Sequence, residues 1–233
     1  MFNTKSKTSK TGSKKTKSKS KKPTPLYLDV DDVVINSCET TIDIINEKYR
    51  KPLGLPAKTI KDLKDWTFKS IYRDITSEQL EEIFCSKEFW NKVTIKSQFY
   101  SLISSGILKN YEIIFVTKGN DRNYFCKKEF FRNIFGGILD YDLICLPCGI
   151  DKSTIDMSGG IQVDDNFKNL INTNAALKIL VTNGLETAYN NGYRCKGEDA
   201  DNLLYNDNLY YINDIGDIKE ILEFNLKTDY INW

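Results

Sequence analysis

Apolar residues gather into short runs set among polar stretches. Leu26–Val30 is the first. Comparable runs recur at YEIIFVT (111–117), YDLICL (141–146), GGIQVDD (159–165), LKILVTN (177–183) and LYYIND (209–214). Short, mostly apolar runs with Tyr and Val are the signature of buried strands. Helical periodicity fills the gaps: DRNYFCKKEFFRNIF (121–135) stops at Gly136-Gly137, a natural helix terminus. Further helices are predicted over 166–176 and in GDIKEILEF (216–224). Strands alternating with helices imply an α/β fold built on a doubly wound parallel sheet.

The interval between the first two runs is too long for one crossover. Residues 38–108 have a helical, aromatic-rich texture: TTIDIINEKY, DLKDWTFKSIY, SEQLEEIFCSKEFWNKV and SQFYSLISSGIL. An insertion of that size predicts a subdomain. The expected organisation is a tail over 1–25, a core made of 26–37 and 109–233, and a small helical cap over 38–108.

Charge divides the chain in two. The net charge of +1 over 233 residues conceals a first segment, 1–25, with lysines and no acid. Its nine lysines leave 24 basic residues against 32 acidic ones, a net of −8 for 26–233. A Lys/Ser/Thr stretch with almost nothing apolar cannot offset its ordering entropy and is expected to be disordered. Two readings of it stand: a nucleic-acid tether through residues 1–22 or a nuclear signal, and a solvated tail without a catalytic role.

There is no histidine, which excludes Ser-His-Asp and Cys-His nucleophile systems and leaves acid–base work to carboxylates, Lys, Tyr or Cys. Cys145 and Cys148 form a CLPC pair with no second CxxC, so two ordinary buried cysteines are expected there, not zinc ligands. With no signal peptide and no apolar run of membrane-spanning length, an intracellular protein, cytoplasmic or nuclear, and no membrane contact are expected.

In open α/β sheets ligands sit beyond the carboxyl ends of the strands. Those ends carry Asp29-Val30-Asp31, then Thr117-Lys118, then Asp164-Asp165, with Lys152 in the segment leading to the fourth strand. Carboxylates converging on one rim repel one another unless a cation lies among them, and hard oxygen ligands suit Mg²⁺. Thr117 and Lys152 would then hold an anion beside the metal, most naturally a phosphoryl group. One carboxylate could attack phosphorus, and a second, two residues on, could protonate the leaving oxygen and then activate water.

The ordered set DVDDVV, FVT, DKST and VDDNFKN resembles the four motifs of the haloacid dehalogenase superfamily of phosphohydrolases, over residues 26–225. Within it, INEKYRKPL…DLKDWTF, IQVDDNFKNL and YYINDIGDIKEIL are most similar to the 5'(3')-deoxyribonucleotidases and their viral and phage relatives. That resemblance implies a Rossmann-like core with a cap inserted after the first strand, and a Mg²⁺-dependent phosphomonoesterase acting on (deoxy)nucleoside monophosphates. It makes Asp29 the nucleophile and Asp31 the general acid/base. Thr117 and Lys152 would bind the phosphoryl group, and Asp165 would ligate Mg²⁺ with Asp29 and the Asp31 carbonyl, with Asp164 as support or alternate ligand. Three positions depart from the group. Ile150 replaces a basic residue two before the motif lysine, Ser37 an aromatic in the cap hinge, and Lys118 a small residue after the motif threonine. Lys118 would supply a displaced positive charge for the phosphate.

Other residues carry plainer expectations. Asp32 is expected to face away or to cap the following turn. Trp66, Phe68, Phe89, Trp90, Phe99 and Tyr100 are expected mainly as helix packing, with one or two stacking on a base. Asn166 and Asn169 are candidates to cap the helix after the fourth strand. Two other functions fit parts of the pattern: a phosphatase of nucleic-acid ends held by the basic tail, and a nucleic-acid-binding protein that has lost catalysis.

Overall fold

The computed structural model describes residues 22–64, 67–183 and 208–228. All six runs form strands: β1 (Thr24–Leu28), β2 (Tyr111–Lys118), β3 (Asp142–Leu146), β4 (Ile161–Asp164), β5 (Leu177–Val181) and β6 (Leu209–Ile212). They make one all-parallel sheet in the order β3-β2-β1-β4-β5-β6. β1 starts before its apolar run, at Thr24, because Pro25 is tolerated at the beginning of a strand, where a missing N–H matters least. Strand order reverses between β1 and β4, and a crevice at such a switch point is where a doubly wound sheet binds its ligand.

Seven helices flank or interrupt this sheet among the described residues: α1 (Ser37–Ile45), α2 (Ser77–Phe84), α3 (Lys87–Lys92), α4 (Ser97–Ser105), α5 (Asp121–Phe135), α6 (Phe167–Ile171) and α7 (Ile218–Thr228). Local capping explains several starts. Thr76 accepts from the Gln79 amide and Gln79 answers in kind; Ser86 accepts from Phe89, and Asn120 from Asn123. α5 ends at Gly136-Gly137, where Gly137 takes a φ of 78°. α6 and α7 are displaced from the stretches read as helical, to 167–171 and 218–228.

The long interval between β1 and β2 holds α1 to α4, but it is not helical throughout. DLKDWTFKSIY, read as helical, contributes only Asp62 to a single turn at Ile60–Asp62, and its residues 67–72 form turns; Asp65 and Trp66 lie outside the described residues. A buried side chain ties the end of this stretch to the loop before it. The Arg50 guanidinium donates to the Pro56 carbonyl at 2.6 and 2.9 Å and to the Ile71 carbonyl at 2.6 Å.

Two crossing segments form a neck where the chain leaves the sheet and returns to it. Ile35 and Ile95 make an antiparallel bridge, flanked by Asn36 N–H to Thr94 O (3.1 Å) and Lys96 N–H to Val34 O (2.9 Å). Beyond the neck, α4 packs on the sheet: the Phe99 ring lies 6.2 Å from Phe115 of β2 and 5.8 Å from Phe135 of α5. Phe131 and Tyr141 complete this aromatic core around the fully buried Phe115.

Candidate active site

β1 ends at Leu28, which stands opposite Phe115 of β2 on one side and Val163 of β4 on the other. That register brings Asp29, Thr117 and Asp164-Asp165 to one end of three adjacent strands. The Asp29 amide remains tied to β4 through the Val163 carbonyl at 2.9 Å, so its side chain starts from a fixed backbone. Oxygens of Asp29, Asp164 and Asp165 lie within 4.8 Å of one another, and all three residues are buried.

Lys152 enters from the turn before β4. Its fully buried ammonium lies 2.6 Å from Asp29 Oδ1 and 2.7 Å from Asp164 Oδ2. Burial by itself would lower the Lys152 pKa, but the Asp164 and Asp29 carboxylates override it and push it up. Asp164 is otherwise spoken for: its Oδ1 accepts from the Asn166 amide (2.9 Å) and from Asn169 Nδ2 (3.1 Å). Asn166 also caps α6 by accepting from the Lys168 amide at 3.0 Å. The two asparagines therefore differ in role, one capping α6 and both orienting Asp164.

One lysine does not neutralise three carboxylates. Burial raises the Asp29 pKa to about 7, with Asp164 and Asp31 adding to the effect against Lys152. Asp165 is raised well above the ordinary range by burial and then by Asp29, Asp32 and Asp164. A cluster of buried hard oxygens with an unmet demand for positive charge fits Mg²⁺. Asp29, Asp164 and Asp165 are the carboxylates placed to hold it.

Asp31 stands apart from that trio. Its Oδ2 accepts from the Lys127 ammonium at 2.6 Å and from the Thr117 hydroxyl at 3.3 Å, and Lys127 also donates to Thr117 Oγ1. Sequence reading missed Lys127, although a signal was there. Asn123, Lys127, Phe131 and Phe135 fall four residues apart and form the buried stripe of α5, so this lysine occupies a core position. Lys118 donates to Asn169 Oδ1 at 3.0 Å and lines a cavity beside Asp31.

Asp32 does not face away. It is buried at a φ of 54°, and its Oδ1 accepts from the Cys38 amide at 3.0 Å, tying down the start of α1. Its carbonyl accepts from Lys96 at the neck and from Asn183 Nδ2 at 3.0 Å after β5. Lys96 also donates to Asn183 Oδ1. These contacts join the neck, the acidic turn and the end of β5.

A cavity of about 640 Å³ opens next to Asp31, between the insertion and the β2–α5 turn. Phe68, Glu81 and Phe84 line it from the insertion, and Asn120 and Asn123 from the body. Of the other aromatics, Phe89 and Phe99 are fully buried packing, Trp90 is half-buried against Phe89 and Phe130, and Tyr100 is exposed. Ser37 lines the cavity, whereas Ile150 is exposed. Cys145 is half-buried and Cys148 exposed, correcting the expectation of two buried thiols; no disulfide forms among the described cysteines.

No family model matches the chain, and no curated protein does. Solved structures do. A haloacid dehalogenase-like family hydrolase from Streptococcus pneumoniae superposes with a TM-score of 0.54 at 15% identity, over 87% of this chain and 98% of that one. A predicted phosphatase from Clostridium acetobutylicum gives 0.54 at 14%, over 88% and 99%. The magnesium-bound HAD-hydrolase YfnB from Bacillus subtilis gives 0.51 at 10%, over 87% and 100%. The chain has the haloacid dehalogenase-like fold. No helix of the described residues is long and apolar enough to cross a membrane.

Proposed function

We propose that this protein is a Mg²⁺-dependent phosphomonoesterase that hydrolyses (deoxy)nucleoside monophosphates through an aspartyl-phosphate on Asp29. The observation that carries the reading is the buried Asp29, clamped by Lys152 and within 4.8 Å of Asp164 and Asp165 at the sheet's switch point. Asp29 attacks phosphorus, forming an acyl phosphate as the P–O bond to the leaving group breaks. Asp31 gives a proton to the departing oxygen, then takes one from the water that hydrolyses the acyl phosphate and restores Asp29. Lys152, Thr117 and Lys118 hold the phosphoryl oxygens. Mg²⁺, when bound by Asp29, Asp165 and the Asp31 carbonyl, supplies positive charge against the charge developing on the phosphoryl group.

The cavity beside Asp31 supports a nucleoside as the leaving group. Its size suits one small ligand, Phe68 and Phe84 offer faces for a base, and Glu81, Asn120 and Asn123 offer polar partners. Helices on the far side of the neck would act as the cap that excludes water during transfer. The 5'(3')-deoxyribonucleotidase motifs point the same way, while Ile150, Lys118 and Ser37 imply a preference of its own. A screen of nucleoside 5'- and 3'-monophosphates and sugar phosphates, with Mg²⁺ present and absent, tests the reading. Mg²⁺-dependent release of phosphate from nucleotides above all other esters is expected. Equal rates on sugar phosphates would refute the nucleotide assignment, and inhibition by single-stranded DNA would favour nucleic-acid ends.

A further inference from the structure

Lys127 is a buried charge that the phosphoryl chemistry above leaves without a task. It is 1% exposed and in phase with Phe131 and Phe135 on α5. A lysine at such a position ordinarily runs its stem along the apolar face and returns the ammonium to water. Here the ammonium turns into the site instead, to Asp31 Oδ2 at 2.6 Å, Thr117 Oγ1 and the Lys118 carbonyl at 3.4 Å. Removing an ammonium from water costs several kcal/mol, so the placement calls for a purpose.

The consequence falls on Asp31. Its two oxygens are unlike: Oδ2 has both Lys127 and the Thr117 hydroxyl as donors, whereas Oδ1 is buried and has no hydrogen-bond partner. A buried acceptor without a partner is costly and rare, which marks a place that a ligand atom or water completes. The Asp31 side chain is 30% exposed and would otherwise be free to pivot.

We propose that Lys127 is a positioning residue: it holds Oδ2 of Asp31 and so fixes the carboxyl group that serves first the leaving-group oxygen and then the hydrolytic water. The assignment rests on Asp31 being the acid/base of the hydrolase reading. In the first step the Asp29 oxygen–phosphorus bond forms, the ester P–O bond breaks, and the proton on the Asp31 carboxyl passes to the ester oxygen. In the second step water oxygen bonds to phosphorus, the acyl-phosphate P–O bond breaks to free Asp29, and the water proton passes to the Asp31 carboxylate. Lys127 keeps its own protons throughout.

The test compares phosphate esters of graded leaving groups, from nucleoside and simple alkyl phosphates to p-nitrophenyl phosphate, with the full chain and Mg²⁺. Lys127→Met should lower kcat about 10–100-fold on the alkyl and nucleoside esters, a part of what an acid/base contributes, with KM nearly unchanged. Formation of the phosphoenzyme from p-nitrophenyl phosphate, which needs no acid, should slow by less than about three-fold. The double variant Lys127→Met/Asp31→Asn should be no slower than Asp31→Asn alone, because residues acting as a unit are not additive. A uniform loss across all esters, or a loss that multiplies with that of Asp31→Asn, overturns the assignment. Circular dichroism checks the fold, and should Lys127→Met not fold, Lys127→Gln carries the same comparisons. A wild type that turns over no ester and traps no phosphoenzyme ends the hydrolase reading and this assignment with it. An active wild type matched by Lys127→Met ends this assignment only.

Discussion

Lys152 reaches Asp29 across 123 residues of chain, its ammonium 2.6 Å from Asp29 Oδ1. The pair is buried, and removing one partner of a buried pair leaves an uncompensated charge at a cost of about 3–5 kcal/mol. Lys152→Met should therefore abolish turnover and, in chelator, lower the melting temperature by roughly 10 °C. Adding Mg²⁺ should recover part of that loss, since the carboxylates would regain a counter-charge. An unchanged melting temperature in chelator would show that Lys152 does not hold the cluster together.

The two aspartates of the β1 turn should fail in different ways. On the proposed mechanism Asp29→Asn removes the nucleophile, so neither phosphoenzyme nor product should form. Asp31→Asn keeps the nucleophile and the backbone carbonyl and should be slowed by ~10²–10⁴-fold. From an activated aryl phosphate it should accumulate a base-labile acyl phosphate on the peptide that contains Asp29. Label on Asp31 would reverse the two roles.

Metal and pH should act together on stability. EDTA should abolish activity and Mg²⁺ restore it, whereas Ca²⁺, with its longer bonds and larger shell, should substitute poorly. In EDTA, Asp29 (about 7) and Asp165 (well above the ordinary range) hold protons that an unfolded chain gives up near pH 4. The folded state then binds more protons than the unfolded one, so stability should fall as pH rises from about 5 to 7.5. Carboxylates lowered by hydrogen bonds, such as Asp62 and Asp151, titrate below that window and do not mask the effect. Thermal melts should show a decline of about 5 °C in EDTA that disappears in Mg²⁺. A flat profile in chelator would contradict the charge arrangement described for the site.

Deleting residues 1–22 should leave turnover of mononucleotides nearly unchanged, since the first strand begins at Thr24. If the lysines contact nucleic acid, the same deletion should remove salt-sensitive binding to DNA in a filter or anisotropy assay. A large fall in mononucleotide turnover with the fold intact would assign the segment to the site.

Local pattern was enough for much of this molecule. The inner strands β1, β2, β4 and β5 are mostly buried, as in a parallel sheet covered on both faces, whereas the edge strands β3 and β6 are partly exposed; α5 ends where two glycines follow one another. That Asp29, Thr117 and Asp164-Asp165 gather on one rim was legible because they stand at strand ends, positions that can be counted along the chain, and Lys152 joins them from the turn before β4. The turns at 67–72 were not, since aromatic-rich sequence resembles helix along the chain; Arg50 ties the Ile71 carbonyl to the Pro56 carbonyl through a contact that periodicity does not show. Nor was the pairing of Lys127 with Asp31, or of Lys96 and Asn183 with the Asp32 carbonyl. Those contacts span 96, 64 and 151 residues. They exist only once β1, β2 and β5 lie in register beside α5 and the neck. Periodicity is a property of neighbours along the chain, whereas the partner of a buried charge is chosen by whichever elements the packed sheet brings within 3 Å of it.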